Sequence, residues 1–140
     1  MFFVSACLMG ENCKYSGGNN LNEDVVAFLD GKEYILVCPE VAGGLKCPRS
    51  PAERCGERVI DQDGVDVTDA FLKGAKMTLD LALEHKPELC ILKANSPSCG
   101  YGTIYDGTFS GNKVLGNGVT VDLLLNHGFK VISEKSLKKD

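Results

Sequence analysis

Short apolar runs alternate along this chain with segments of helical period. Met1-Phe-Phe-Val-Ser-Ala-Cys7 reads as a first strand, and Tyr34-Ile-Leu-Val-Cys38 as a second. Between them, Asn22 to Leu29 reads as a short helix, with Asn22 as N-cap, Glu23 and Asp24 in its first turn and Gly31 at its stop. Val41 to Glu57 is rich in Gly, Pro and Arg and is expected to be irregular. Arg58 to Val67 reads as a small hairpin turning at Asp63-Gly64. Thr68 is expected to cap the longest helix, which runs to about His85 and ends before Pro87. Its core face is read from Phe71, Leu72, Ala75, Leu79, Ala82 and Leu83. Leu89 to Lys93 is a nearly continuous apolar run, as suits a strand covered on both faces. A Gly-rich loop from Ala94 to about Asn117 follows, then a helix over Val119 to Asn126 that stops at Gly128, then a strand from Phe129 to Ser133.

This order predicts an α/β fold: one domain over residues 1–140, with an open, mostly parallel, Rossmann-like sheet flanked by helices and a small β-hairpin insertion. A chain of 140 residues, 44 % of them apolar, is long enough for one such core. No repeat or linker divides it.

Charge narrows the partners. The net charge is −4, which argues against a broad grip on a nucleic acid polymer. A small nucleobase needs only local contacts. Lys138-Lys139 is expected to be a solvated terminus. No apolar run approaches membrane-spanning length, and the first residues read as a strand rather than a signal peptide, so a cytoplasmic protein is expected. Seven cysteines cannot all pair internally, which fits reduced thiols.

Three of those cysteines are candidates to carry chemistry. Cys7, Cys38 and Cys99 follow the downstream ends of the three main strands, and in an open α/β sheet those ends share the ligand-binding rim. Thiolates suit iron–sulfur clusters, zinc and copper(I). The three are far apart in sequence and form no local C-x-x-C knuckle, which counts against a small structural zinc site. Spacing alone leaves them balanced between ligands and small buried hydrophobes. Cys90, inside a strand, is read as the latter, and Cys55 has no evident role. Cys13 and Cys47 each stand near enough in sequence to replace one of the three. Glu40, after Cys38-Pro39, is placed to act as general acid or base, or else to bond loop amides. Ser96 and Ser98 can donate to a ligand or cap the turn around Pro97. Arg49 and Lys93 offer positive charge, and both residue types are more often solvated. His85 and His127 fall at helix C-termini, where the dipole favours them. The glycine loops lack a phosphate-binding pattern and read as turns. The residues alone therefore also admit a cluster- or zinc-binding regulatory module without turnover, or a nucleotide-binding domain.

Several motifs in order narrow this further. They are Val4-Ser-Ala-Cys-Leu-Met-Gly10, Lys14-Tyr-Ser-Gly-Gly18, Val37-Cys-Pro-Glu-Val41, Gly43-Gly-Leu-Lys-Cys-Pro-Arg49, Leu92-Lys-Ala-Asn-Ser-Pro-Ser-Cys-Gly100 and Tyr105-Asp-Gly-Thr-Phe-Ser-Gly111. Together they resemble the thiouracil desulfidase family over nearly the whole chain. The resemblance implies a [4Fe–4S] cluster held by Cys7, Cys38 and Cys99. It implies Glu40 as the acid/base and Ser96 as the serine that positions substrate, with Ser98 as second choice. It also implies a small thiolated nucleobase or nucleoside as partner. Two positions depart from the family pattern: Ser16, where it commonly has Asp, and Lys46, where it commonly has Pro. If those loops line the pocket, they bear on whether a free base is the substrate.

Overall fold

The computed structural model describes residues 1–137, so the expected basic pair Lys138-Lys139 lies outside the described residues. Its elements run β1 (Phe2–Ser5), α1 (Glu23–Leu29), β2 (Tyr34–Val37), α2 (Pro39–Ala42), β3 (Ala52–Cys55) and β4 (Arg58–Asp61). They continue with α3 (Thr68–His85), β5 (Leu89–Leu92), β6 (Thr103–Tyr105), β7 (Lys113–Leu115), α4 (Val119–Asn126) and β8 (Val131–Ser133). A parallel sheet in the order β2-β1-β5-β8 forms the centre, with Phe3 opposite Ile35 on one side and Cys90 on the other.

The period of two along the central strands divides the core. Phe3, Cys90 and Leu92 face α3 and α4, meeting Leu79, Ala82, Val121 and Leu124. Phe2, Val4 and Ile91 face the other way, onto Leu8, Val25 and Leu29. Apolar residues on alternate positions thus all become buried, which explains the unbroken apolar run of β5.

Most elements match the sequence pattern, and the differences have local causes. Asn22 caps α1 through its side-chain oxygen, which accepts the Val25 amide at 3.1 Å. Thr68 does not cap α3. Its hydroxyl accepts the Val59 amide at 2.8 Å, tying the helix to β4, and Asp66 Oδ1 accepts the Thr68 amide instead. Leu72 and Leu83 lie about half exposed, and the buried stripe of α3 runs through Phe71, Gly74, Ala75, Thr78, Leu79 and Ala82. Small residues on that stripe bring the helix close to its neighbours, so Leu72 and Leu83 are left outside it. The expected hairpin turns at Asp63-Gly64, with Ile60 bridging Asp66 antiparallel and the Val67 amide donating to the Val59 carbonyl at 2.9 Å, and β4 also pairs antiparallel with β3, which lies inside the segment expected to be irregular. The Gly-rich loop after β5 likewise contains a short hairpin, β6–β7, that the pattern did not show.

Candidate active site

Chain geometry at the strand ends decides where the sulfurs stand. β1 runs directly into a 3₁₀ turn, Ala6–Met9, which carries Cys7. β2 runs into α2, with Cys38 as its N-cap residue and Glu40 in its first turn. That short helix is held by close backbone contact with α3: a side chain at Gly43 would meet the Ala70 carbonyl oxygen, and one at Gly74 would meet that of Pro39. The Ser96–Cys99 turn after β5 is held by the start of α4. There the Val119 and Thr120 amides donate to the carbonyls of Pro97 and Ser98 at 2.8 and 3.0 Å, and Gly118 leaves room for the Ser98 carbonyl. A first-turn helix would otherwise leave those amides without partners.

Cys7, Cys38 and Cys99 all line one cavity of about 480 Å³ at this rim, together with Glu40, Ser96 and Ser98. Cys13 joins them. Hydrogen bonding from the Cys13 thiol is the main cause that lowers both Cys7 and Cys38 to about 7; burial opposes it in each case. The Asn20 amide assists at Cys7, standing 3.4 Å from its sulfur. The Cys13 thiol is itself pushed far above the usual thiol range, by hydrogen bonding with Cys38 first, then with Cys7, and by burial. Cys99 differs. Burial pushes it up to about 12, against hydrogen bonds from the Ser98 and Ser5 hydroxyls.

Beside the sulfurs lies a chain of polar groups. Glu40 Oε1 accepts from Arg49 Nε and Nη2 at 3.3 and 3.2 Å. Ser98 Oγ, almost fully buried, donates to Glu40 Oε2 at 3.1 Å and stands 3.5 Å from the Cys99 sulfur. Ser96 Oγ lies 3.1 Å from Ser98 Oγ and accepts the Ser98 and Cys99 amides at 3.1 Å each. With its acceptor capacity so used, the Ser96 hydroxyl acts as a donor toward Ser98 or a ligand.

Sequence pattern found much of this set and missed part of it. Arg49 is not a solvated cation. Its side chain is 9 % exposed, and it ties Glu40 to the Cys13 carbonyl, which accepts from Nη2 at 3.1 Å. Lys93 is likewise partnered, 3.2 Å from buried Glu134, whose other oxygen accepts the Ala94 amide. The sequence held a cue for Arg49 in its place nine residues after Glu40 in one Gly/Pro-rich loop, but nothing showed that the loop folds back. Glu40 bonds Arg49 and Ser98 rather than loop amides. Cys47 Sγ lies on the Asn12 and Lys14 carbonyls, at 3.1 and 3.2 Å, and does not line the cavity. Cys55 is exposed at the end of β3, and Cys90 is buried in β5 as expected. Neither Ser16 nor Lys46, the two departures from the family pattern, lines the cavity.

Against known proteins, the family model described as 2-thiouracil desulfurase matches residues 2–136. The chain belongs to the 2-thiouracil desulfurase family. The uncharacterized protein YbbK of Bacillus subtilis (strain 168) is 43 % identical over 147 residues, covering 98 % of this chain and 97 % of that protein. A solved structure, the [4Fe-4S]-dependent thiouracil desulfidase TudS (DUF523Vcz), superposes with a TM-score of 0.89 at 44 % identity, covering 97 % of this chain and 91 % of that one.

The donor set of this family member fits such a cluster better than a lone ion. Among the described residues, no three His, Cys, Asp or Glu side chains converge closely enough to hold one metal ion. A cluster makes a different demand, since each thiolate grips a different iron. Cys7, Cys38 and Cys99 come from three separate strand ends around one cavity, and hydrogen-bond donors already face two of their sulfurs.

Proposed function

We propose that this chain hydrolytically desulfurates a thiolated pyrimidine, base or nucleoside, releasing the oxo compound and sulfide. The observation that carries it is the meeting of three strand-end cysteines with a partly buried carboxylate–serine chain at one cavity. Cys7, Cys38 and Cys99 are the cluster ligands in this reading. Cys13 shares the sulfur group as a hydrogen-bond donor, and Cys47 stays outside it. When bound, a [4Fe–4S] cluster with three protein ligands supplies a vacant iron that serves as Lewis acid for the thiocarbonyl sulfur.

The chain's own residues supply the rest. Glu40, oriented by Arg49 and Ser98, takes a proton from the attacking water. Ser96 donates to the ring or to the oxygen on which charge develops. The water oxygen replaces sulfur on the ring carbon, and the two water protons leave with the sulfide. No electron donor enters this balance. Ser98, between Glu40 and Ser96, gives a short path along which a proton can return.

We take residues 1–140 as one desulfidase-like domain acting on a small molecule. Seven free cysteines fit a reducing compartment, so the cytoplasm is the location we assign. Among the described residues no helix is long and apolar enough to cross a membrane. The test is anaerobic reconstitution with iron and sulfide, then incubation with 2-thiouracil or 4-thiouracil and assay for uracil and sulfide. Equal release of both products supports the proposal. A brown protein that forms neither product rejects the activity.

A further inference from the structure

Phe109 is held in a conformation that packing does not explain. Its φ is +55°, a region that bulky side chains rarely adopt. Among the described residues it belongs to none of the three apolar core clusters. It lines the cavity instead, on the loop between β6 and β7. Strain of this kind persists only where the surroundings over-determine it.

Those surroundings are visible. Glu53 on β3 also lines the cavity, and its Oε1 accepts two amides of that loop, Gly107 at 3.0 Å and Phe109 at 3.2 Å. Gly107, with φ +93°, lets the loop lie against β3, since a side chain there would stand 3.1 Å from the Arg54 carbonyl oxygen. Asp106 Oδ1 accepts the Thr108 amide at 2.9 Å and closes the turn. The loop is therefore clamped at its neck, and Phe109, at the clamp, lines the cavity. Three aromatic residues line the cavity: Tyr105, whose ring has the Lys113 ammonium 5.6 Å from its centre, Tyr15, which is about half exposed, and Phe109, which is more sheltered than Tyr15 and is fixed by the Glu53 clamp.

We propose that Phe109 is a stacking wall for the planar heteroaromatic ring of the substrate, and that Glu53 is the positioning residue that aims it. The inference rests on the desulfidase reading and deepens it: the site selects flat pyrimidine-type thiocarbonyls over aliphatic thioamides. Aromatic–base stacking is sequence-tolerant and acts on either face of a ring, so it suits a small base that offers few polar handles.

The test compares wild type with Phe109→Ala, Phe109→Tyr, Glu53→Ala and Glu53→Gln, all reconstituted anaerobically. Cluster absorbance is recorded, uracil binding is measured by calorimetry, and kcat and KM are measured with 2-thiouracil. Phe109→Ala should weaken uracil binding and raise KM by about tenfold or more, with kcat and cluster absorbance held. Phe109→Tyr should restore both. Glu53→Ala should move the same way as Phe109→Ala, and Glu53→Gln, which keeps an acceptor oxygen, should not. Equal uracil binding and KM in wild type and Phe109→Ala would overturn the proposal, as would a loss that Phe109→Tyr leaves unrepaired. Wild type that holds its cluster yet releases no sulfide instead overturns the desulfidase reading, and uracil binding still decides the role of Phe109.

Discussion

Arg49 and Glu40 form a nearly buried ion pair, with Arg49 Nη2 3.2 Å from Glu40 Oε1. The same nitrogen donates to the Cys13 carbonyl, so one guanidinium fixes both the carboxylate and the loop that bears Cys13. Removing one partner of such a pair leaves the other charge without compensation. Arg49→Ala is expected to lower kcat by about tenfold while the cluster spectrum persists, and Glu40→Gln by about a hundredfold or more. Because Arg49 acts through Glu40, the double variant should be no slower than Glu40→Gln alone, which steady-state rates would check. An additive loss would show that Arg49 has a separate role.

Ser98 touches Glu40, Ser96 and Cys99 at once and is 1 % exposed. Ser98→Ala deletes a buried hydroxyl whose one proton is donated to Glu40 Oε2, a change worth about 1–3 kcal/mol. We expect kcat to fall and the visible cluster band to shift, because the polar hydroxyl 3.5 Å from the sulfur of Cys99, a ligand in the proposed reading, is lost. Ser98→Thr keeps the hydroxyl and should recover most of both. An unmoved band in Ser98→Ala would place the Cys99 sulfur out of its reach.

The backbone contact of α2 with α3 makes a stability prediction. Neither Gly43 nor Gly74 has a positive φ, so conformational freedom is not the reason for glycine there. Gly43→Ala would drive a methyl group into the Ala70 carbonyl. Separating the helices is expected to cost about 1–3 kcal/mol, seen as a lower melting temperature by circular dichroism. Gly44→Ala, next in sequence, meets nothing within 4 Å but has φ +99°, so its cost is one of strain alone. A Gly43→Ala variant as stable as wild type would mean that the helices are not in contact.

How much of this was legible depends on the range of the interactions. The parallel sheet was, because a buried strand such as Leu89–Leu92 writes its burial directly into its own residues. Cys7, Cys38 and Cys99 were located at the rim by the same logic, since a strand end is a local feature and the sheet aligns such ends. The hairpins β3–β4 and β6–β7 were not, because strands this short in Gly- and Pro-rich sequence have no periodicity to read. Leu72 and Leu83 lie outside the core despite their hydrophobicity, because the close packing of α3 uses small residues such as Gly74 and Ala75. The partners Arg49–Glu40, Lys93–Glu134 and Glu53–Phe109 join separate loops or elements, and such pairings arise only once the chain has folded. Cys13 entered as an open alternative, and only the geometry separates it from Cys47.

The central claim is that sulfurs from three strand ends hold one cluster. Iron and acid-labile sulfide, counted per chain after anaerobic reconstitution, test it most directly across Cys7→Ser, Cys38→Ser, Cys99→Ser, Cys13→Ser and Cys47→Ser. The first three variants should lose most of their iron, and the last two should keep the iron-to-sulfide ratio of a [4Fe–4S] cluster. Full iron in any of the first three, or its loss in Cys13→Ser alone, would contradict the assigned ligand set.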